Sequence, residues 1–261
     1  MNRSHQPRKR FGQHFLTEPQ YVQQVVDAIA PAAGDRLVEI GPGQGAITIP
    51  LAEYGCELHA IEFDRDLAAL LNTRFAGSEH VTIHEADALT FDFAALGRGL
   101  RVLGNLPYNI STPLMFRLLE FNSCIGDMHF MLQKEVVQRM CATPGGRQYG
   151  RLTIMLGSLV EMVPLFDVPP QAFTPPPRVT SSVVRMRPLP LAAREVHDRD
   201  RLGGLVTMAF SKRRKTLRNA LKGVVTDAEL AAAGIDPGSR PEQVAVRNWI
   251  ALANALAAKA D

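Results

Sequence analysis

Apolar and polar positions in the first 190 residues alternate between short β-rich runs and stretches with helical spacing. Four runs have the apolar and β-branched character of strands: Leu37–Ile40, Glu57–Ile61, Val81–His84 and Arg101–Leu103. Stretches between or before them, such as Tyr21–Ile29 and Asp66–Leu71, carry apolar residues at helical spacing. This alternation predicts an α/β fold, with a parallel sheet covered by helices on both faces and ligands at the carboxyl ends of the strands.

The pattern changes after Pro188 and Pro190. Before them, Met128–Leu132, a helix from Lys134, an apolar segment over Leu152–Val168 and Ser182–Met186 continue the alternation. After them, helical periodicity alone is found, in three segments: Arg199–Leu221, Asp227–Ala233 and Pro241–Lys259. We therefore predict two domains, residues 1–190 and a small helical domain of residues 191–261.

Length and composition favour an ordinary globular protein. The chain has 261 residues, of which 46% are hydrophobic and 21% charged, and its longest apolar stretches fall short of the ~18 residues that a membrane span needs. Its three cysteines form no CxxC pair and no cluster with histidine, so we expect a reducing, cytoplasmic location and no metal. We interpret the N-terminal residues as a basic arm and not as an export signal.

The net charge of +3 is unevenly distributed. Residues 1–10 contain four basic and no acidic residues, and residues 192–261 contain 12 basic and 8 acidic residues, whereas the intervening body is mildly acidic. Two basic ends on an acidic body suggest that the ends meet a polyanion, although an unevenly charged, solvated surface would give the same count.

Three motifs follow successive predicted strands. The first is the glycine loop Glu39-Ile-Gly-Pro-Gly-Gln-Gly-Ala46, in which Gly41, Gly43 and Gly45 allow a sharp turn and close approach to a ligand. Glu62 follows the second strand, where a carboxylate accepts hydrogen bonds from a ribose diol, and Asp87 follows the third, where it accepts from an adenine amine. The GxGxG spacing alone is a weak signal, and either acid could simply cap a helix.

The most specific motif is Gly104-Asn-Leu-Pro-Tyr108, after the fourth strand. An adenine N6 amine is a poor nucleophile because its lone pair is delocalised into the ring. If the Asn105 side-chain oxygen and the Leu106 carbonyl each accept an N6 hydrogen, the lone pair becomes available for in-line attack on a sulfonium-borne methyl group. Pro107 stiffens the turn, and Tyr108 offers a face on which an extruded base stacks.

Motifs along nearly the whole chain resemble one family. They are Arg10–Leu16, the glycine loop, Ile61–Asp66, Asn105–Pro113, Met131–Val136, Phe173–Arg178 and Arg213–Asn219. The sequence resembles the universal small-subunit ribosomal RNA adenine N6,N6-dimethyltransferases, whose loss gives kasugamycin resistance in bacteria. The resemblance implies a Rossmann-like class I methyltransferase domain that uses S-adenosylmethionine (SAM), without a metal, and a small C-terminal helical domain.

The resemblance also implies a substrate and site residues. The expected reaction dimethylates N6 of two adjacent adenines in the 3′-terminal hairpin of 16S rRNA, in the immature small ribosomal subunit, with a role in late subunit biogenesis and with the enzyme a monomer that binds no membrane. The residues expected at the reacting base are Asn105, Leu106, Pro107, Tyr108 and Phe173. Those expected against SAM are His14, Leu16, Gly41, Gly43, Glu62, Asp87 and Asn105. Position 14 is commonly Asn in this family.

Basic residues near the C-terminus predict contacts with RNA phosphates. Lys212, Arg213, Arg214, Lys215 and Arg218 place five cations within seven residues of a predicted helix, and Arg147 and Arg178 add to this set. Phosphate contacts position a nucleic acid without reading its sequence. A solvated helix face is the alternative interpretation of such a charge run.

Four other functions share some of these sequence features. They are a large-subunit RNA adenine N6-methyltransferase of the macrolide-resistance type, a DNA adenine methyltransferase, a ribosome assembly factor with secondary methylation, and a nicotinamide dehydrogenase. The long match outside the active site favours the small-subunit enzyme over the large-subunit type. The GxGxG spacing disfavours the dehydrogenase.

Overall fold

A computed structural model describes residues 14–107, 110–190 and 196–258. The chain divides into two compact units. The sheet unit contains Met1–Val137 and Val163–Pro188, and the helical unit contains Gln138–Met162 and Leu189–Asp261.

The division differs from the predicted boundary at residue 190 in one segment. Gln138–Met162 belongs to the helical unit because it supplies Tyr149 and Ile154 to a buried core formed with C-terminal residues such as Leu202 and Trp249. Apolar contacts between segments distant in sequence set this boundary, and they are not visible in local periodicity.

Within the described residues, the strands in chain order are β1 (Phe15–Leu16), β2 (Arg36–Ile40), β3 (Glu57–Glu62), β4 (Val81–Glu85), β5 (Leu100–Asn105), β6 (Ile125–Gln133), β7 (Val160–Val168), β8 (Phe173–Thr174) and β9 (Ser181–Pro188). The helices are α1 (Pro19–Ile29), α2 (Thr48–Ala52), α3 (Arg65–Arg74), α4 (Ser111–Glu120), α5 (Lys134–Met140), α6 (Arg151–Gly157), α7 (Arg199–Ser211), α8 (Leu217–Ala220), α9 (Asp227–Ala232) and α10 (Val246–Ala257). None of these helices is long and apolar enough to cross a membrane.

The main sheet has seven strands in the order β4-β3-β2-β5-β6-β9-β7. Strands β4 to β6 in this order run parallel, and β9 is antiparallel to β6. The chain moves outward in one direction from β2 through β3 to β4 and in the other through β5 to β6, which makes the β2/β5 pair the topological switch point. The predicted strands and the α/β class are therefore confirmed, and the sheet is parallel as predicted from β4 to β6 but becomes mixed where β9 joins it antiparallel.

Arg101 on β5 ties helix α1 to the sheet. Its guanidinium bonds to the carboxylates of Asp35 and Asp127 and donates to the main-chain carbonyls of Ile29 and Ala30. Helix α1 ends at Ala30 in the left-handed conformation without a glycine, and Arg101 satisfies carbonyls that the helix end leaves unpaired. Because Asp35 directly precedes β2, this cluster also fixes the start of the strand that leads into the glycine loop.

Candidate active site

A cavity of about 440 Å³ lies at the carboxyl ends of β2, β3, β4 and β5. Because the switch point is between β2 and β5, the loops that follow these two strands diverge and leave a crevice at that edge. The loops after all four strands contribute lining residues. The site therefore lies where the alternating pattern of the sequence predicted ligands.

The glycine loop enters the cavity after β2 because its backbone needs glycine. Gly43 has a φ of +60°, a conformation that L side chains rarely adopt, and a Cβ there would lie 3.0 Å from the ring of Phe15. The main chain at Gly43 consequently lines the cavity, and a larger residue at this position would clash with Phe15.

Glu62, at the end of β3, braces this loop. Its two carboxylate oxygens accept hydrogen bonds from the main-chain N–H of Gly43 at 3.0 Å and of Asp64 at 2.8 Å. Burial raises the pKa of the Glu62 carboxyl, and these two N–H donors act against the rise. Each carboxylate oxygen has a further lone pair, so the side chain still has acceptor capacity toward a ligand in the cavity.

Glu39, the last residue but one of β2, is a second acid in the cavity lining. It is 2% exposed, and its Oε2 atom has no hydrogen-bond partner in the part of the chain that the structure describes. Burial, with the like charge of Glu62, raises the pKa of Glu39 to about 7. Glu39 begins the glycine-loop motif, but the sequence alone predicted no role for it.

Asp87 follows β4 and lines the same cavity. Its Oδ1 atom accepts a hydrogen bond from the main-chain N–H of Leu89 at 2.9 Å, which orders the turn after the strand. The residue is half-buried, and the second carboxylate oxygen makes no hydrogen bond with a described residue. Turn capping and ligand binding are therefore compatible at this position.

Asn105 closes β5 with a defined side-chain orientation. Its Nδ2 atom donates to the main-chain carbonyl of His14 at 3.0 Å. A carbonyl only accepts hydrogen bonds, so the amide nitrogen must face His14, and the Oδ1 atom remains an acceptor in the cavity lining. His14 is itself held by its ring Nδ1, 2.7 Å from the Pro175 carbonyl.

The main chain after Asn105 is also anchored. The N–H of Leu106 donates to the Met131 carbonyl on β6 at 3.2 Å, and the Pro107 carbonyl accepts from the N–H groups of Ile110 and Ser111 at the start of α4. No described residue donates to the Leu106 carbonyl. Two acceptors, the Asn105 Oδ1 and the Leu106 carbonyl, thus belong to a segment that is anchored by the Asn105 Nδ2, the Leu106 N–H and the Pro107 carbonyl.

Phe173 lies on β8, which pairs with β1 in a two-stranded antiparallel sheet. Its side chain is 3% exposed, packs with Leu16 in the core of the sheet unit and lines the cavity. The pairing of Leu16 with Phe173 brings two distant segments of the chain to one wall.

The structure brings to this one cavity all described residues that the sequence predicted at SAM and at the reacting base. The lining includes His14, Leu16, Gly41, Gly43, Glu62, Asp87, Asn105, Leu106, Pro107 and Phe173. Tyr108 lies outside the described residues. The lining also includes Phe15, Glu39 and Phe63, which sequence reasoning missed. Phe63 directly follows Glu62 and is 61% exposed, which is unusual for a large apolar side chain. Its position immediately after the acidic end of a predicted strand is the sequence signal that could have identified it as a lining residue.

The basic residues occupy a different setting from the one predicted. Helix α7 ends at Ser211, and Lys212, Arg213, Arg214 and Lys215 lie in a turn before α8 instead of on a helix. The helix is broken because the first N–H groups of α8 donate to main-chain carbonyls of residues 237 and 239, a contact outside local periodicity. All four side chains are exposed, as are Arg147, Arg178 and Arg218.

Comparison with known proteins supports one family. The sequence profile described as ribosomal RNA adenine dimethylase matches residues 4–258. The chain is 55% identical to "Ribosomal RNA small subunit methyltransferase A" of Aromatoleum aromaticum over 98% of this chain and 96% of that protein. It is 52% identical to the protein of that name from Thiobacillus denitrificans over 98% of this chain and 100% of that protein.

Solved structures agree at the level of the fold. A dimethyladenosine transferase from Plasmodium falciparum superposes with a TM-score of 0.83 at 24% identity, covering 95% of this chain and 98% of that one. The 23S rRNA methyltransferase ErmE superposes with a TM-score of 0.71 at 23% identity, covering 93% and 99%. The fold is thus the Rossmann-like class I methyltransferase fold, and, with its profile match and its site at the β2/β5 switch point, the chain belongs to the ribosomal RNA adenine dimethylase family.

Proposed function

We propose that this enzyme transfers methyl groups from SAM to N6 of two adjacent adenines in the 3′-terminal hairpin of 16S rRNA, giving N6,N6-dimethyladenine. The observation that carries the proposal is the arrangement at the end of β5, where the Asn105 side-chain oxygen and the Leu106 carbonyl are two fixed acceptors at a cavity. The names of the 55% and 52% identical relatives support a small-subunit RNA as the substrate.

The lining of the cavity fits SAM as the methyl-donating substrate, which supplies an electrophilic methyl on a sulfonium centre. Glu62 would accept from the ribose hydroxyls, and Asp87 from the adenine amine. SAM can approach the main chain of the glycine loop closely because Gly43 has no Cβ atom. Buried carboxylates suit a ligand that carries positive charge. Among the described residues, no group of three or more His, Cys, Asp and Glu side chains could hold a metal ion, and the proposed chemistry uses none.

The target adenine would be activated by hydrogen bonding alone. With both N6 hydrogens donated to the Asn105 oxygen and the Leu106 carbonyl, the nitrogen becomes pyramidal and directs its lone pair at the methyl group. The hydrogen bonds from Asn105 to His14 and from Leu106 to Met131 hold both acceptors before the base arrives. As the bond between N6 and the methyl carbon forms, the S–CH3 bond of SAM breaks and S-adenosylhomocysteine leaves as the neutral thioether. The methylated nitrogen then loses one N6 proton to solvent and becomes neutral again.

A second transfer to the same nitrogen proceeds with one N6 hydrogen, so only one of the two acceptors is still engaged. Stacking must then hold the base, and we assign this role to Phe173 in the cavity wall and to Tyr108. Base–aromatic stacking is worth roughly 1 to 3 kcal/mol per base, which is comparable with the hydrogen bond that is lost.

RNA binding is assigned to exposed basic residues of both units. Arg178 in the sheet unit and the cations of the helical unit, Arg147, Lys212, Arg214, Lys215 and Arg218, would contact phosphates and so position the RNA. The physiological partner in this proposal is the immature small ribosomal subunit, and the enzyme acts in the cytoplasm as a monomer.

The proposal is tested by offering the purified protein methyl-labelled SAM with immature small subunits, large subunits or duplex DNA in separate reactions. We expect label in the small-subunit RNA alone, recovered as N6,N6-dimethyladenosine. Label in the large-subunit RNA would instead support the macrolide-resistance type of reaction. Absence of methylated adenine from all three substrates would overturn the enzymatic assignment.

A further inference from the structure

Arg213 is engaged in a way that its neighbours in the basic turn are not. Its Nη2 atom donates to the main-chain carbonyl of Arg147 at 2.8 Å and to that of Tyr149 at 3.4 Å. Its Nε atom lies 3.7 Å from the Glu242 carboxylate, which offsets part of its charge. The guanidinium therefore faces another loop of the helical unit.

That loop, residues 143–150, is held at two further points. The N–H of Gly145 donates to the Glu242 carbonyl at 2.7 Å, and the hydroxyl of buried Tyr149 donates to the Val244 carbonyl at 2.7 Å. The loop is thus fastened both to residues 242–244 and to Arg213. The main chain of Arg147 is therefore held in place, while its side chain is exposed.

The other cations of the turn are unengaged. The side chains of Lys212, Arg214 and Lys215 are exposed and form no ion pair with any residue that the structure describes. Arg218 differs again, because it pairs with Asp227 at 2.7 Å. The basic cluster therefore contains two kinds of residue. Arg213 and Arg218 are bound to other groups of the protein, whereas Lys212, Arg214 and Lys215 form no ion pair with a described residue.

We propose that Arg213 is a positioning residue for RNA binding: it fastens the 143–150 loop so that Arg147 and the free cations of the turn form one pre-ordered phosphate-binding surface. The inference rests on the proposed function, in which these cations bind rRNA. Ordering flexible cations before the ligand arrives lowers the entropy cost of binding. Arginine is required because its rigid guanidinium directs Nη2 at the loop carbonyls while Nε faces Glu242, and the ammonium of lysine is a single point that does not reproduce this geometry.

The test compares two charge-conserving variants, Arg213→Lys and Arg214→Lys, in the full-length protein. Binding to a fluorescent stem-loop RNA is measured over a range of salt concentrations, and hydrogen exchange is measured on peptides covering the 143–150 loop. We expect Arg213→Lys to accelerate exchange in the loop by about tenfold or more, the scale of losing hydrogen bonds from a charged donor, and to weaken RNA binding several-fold. Its salt slope should match that of the wild type, because the charge is retained.

Arg214→Lys is the matched control, since it makes the same chemical change at the next residue, whose head is free. It should leave loop exchange and RNA affinity within about twofold of the wild type, because a lysine also contacts phosphate. If Arg213→Lys left both loop exchange and RNA affinity at wild-type values, the positioning role would be overturned. If wild-type RNA binding showed no salt dependence, the proposed phosphate-binding function of the unit would fail instead, whatever the loop exchange.

Discussion

Glu39 and Glu62 are acidic residues of one cavity that differ in how their charges are satisfied. Glu62 accepts two main-chain hydrogen bonds, whereas Oε2 of the more deeply buried Glu39 has no partner among the described residues. A buried carboxyl without full hydrogen bonding favours its neutral form. At the residue scale, the free protein therefore has one acid poised to act as an acceptor and one whose ionisation costs stability.

The ionisation of Glu39 should make the free protein less stable as the pH rises. Its folded-state pKa of about 7 is above the usual value of 4.5, so the protonated form stabilises the fold fully below pH 4.5, and this contribution is lost as the pH rises through 7. Relative to the wild type, Glu39→Gln should gain stability between pH 5 and pH 8, by up to roughly 3 kcal/mol.

Urea unfolding of both proteins at several pH values measures this difference. Glu53→Gln, at an exposed position, serves as the control and should follow the wild-type pH dependence. Parallel stability curves for Glu39→Gln and the wild type would show that Glu39 does not titrate in this range.

Glu62 should contribute directly to SAM affinity. Glu62→Gln keeps the size of the side chain and removes its charge, so we expect the dissociation constant for SAM to rise about tenfold to a hundredfold, as for the loss of charge-assisted hydrogen bonds. Calorimetry gives the constant. Glu57→Gln is the matched control because Glu57 begins the same strand and pairs with Arg36, away from the cavity. An unchanged affinity for SAM in a folded Glu62→Gln protein would show that Glu62 does not bind the ribose hydroxyls.

At the scale of elements, the end of strand β5 places the reacting groups where it packs against β2 with no room for a side chain at Gly104. A Cβ at Gly104 would lie 2.5 Å from the Ile40 carbonyl oxygen and 3.1 Å from the Leu106 side chain. Gly104 does not have a positive φ, so glycine is needed at this position for lack of space and not for its conformational freedom. The residue before Asn105 is thus part of what sets the position of the acceptors.

Gly104→Ala should therefore cost stability and displace Asn105. Overpacking of this kind typically costs about 1 to 3 kcal/mol, and the methyl-transfer rate should fall with it. Gly126→Ala on β6 is the control, since the nearest atom to a Cβ there is 3.7 Å away, an ordinary contact. Urea unfolding and methylation rates of the two variants should diverge; equal behaviour would contradict the close-packing argument.

The elements that sequence predicted well are those with local causes. Apolar runs identify the strands, and the motifs directly follow them. The sequence alone therefore predicted that Glu62, Asp87 and Asn105 lie at the ends of neighbouring strands and line one site. The break between α7 and α8 and the contact of Asn105 with His14 depend on main-chain groups 19 or more residues away. Periodicity carries no information about such partners, which is also why the engagement of Arg213 was missed.

At the scale of the whole molecule, the helical unit carries an excess of basic residues, whereas the cavity of the sheet unit is lined by acidic ones. The chain carries 12 basic and 8 acidic residues after position 191, and the turn Lys212–Lys215 contributes four of these cations. Screening by salt weakens exposed phosphate contacts far more than hydrogen bonds inside a cavity. The two substrates should therefore differ in how their binding responds to salt.

Replacing Lys212, Arg214 and Lys215 together by Ala should flatten the dependence of log K for RNA on log salt by up to about 3 units. SAM affinity of the same variant is the internal control and should stay at the wild-type value. A salt slope equal to that of the wild type would place these side chains on a solvated face, the alternative that the charge run alone left open.

The most direct test of the account is the single-turnover rate of methyl transfer by Asn105→Ala at saturating SAM and small-subunit RNA, where differences in binding no longer contribute. Loss of a pre-organised hydrogen-bond partner of the reacting amine should slow transfer by about 100-fold or more. Circular dichroism and urea unfolding establish that the variant is folded. A folded Asn105→Ala enzyme that methylates adenine N6 at the wild-type rate would contradict the central claim that the end of β5 activates the amine.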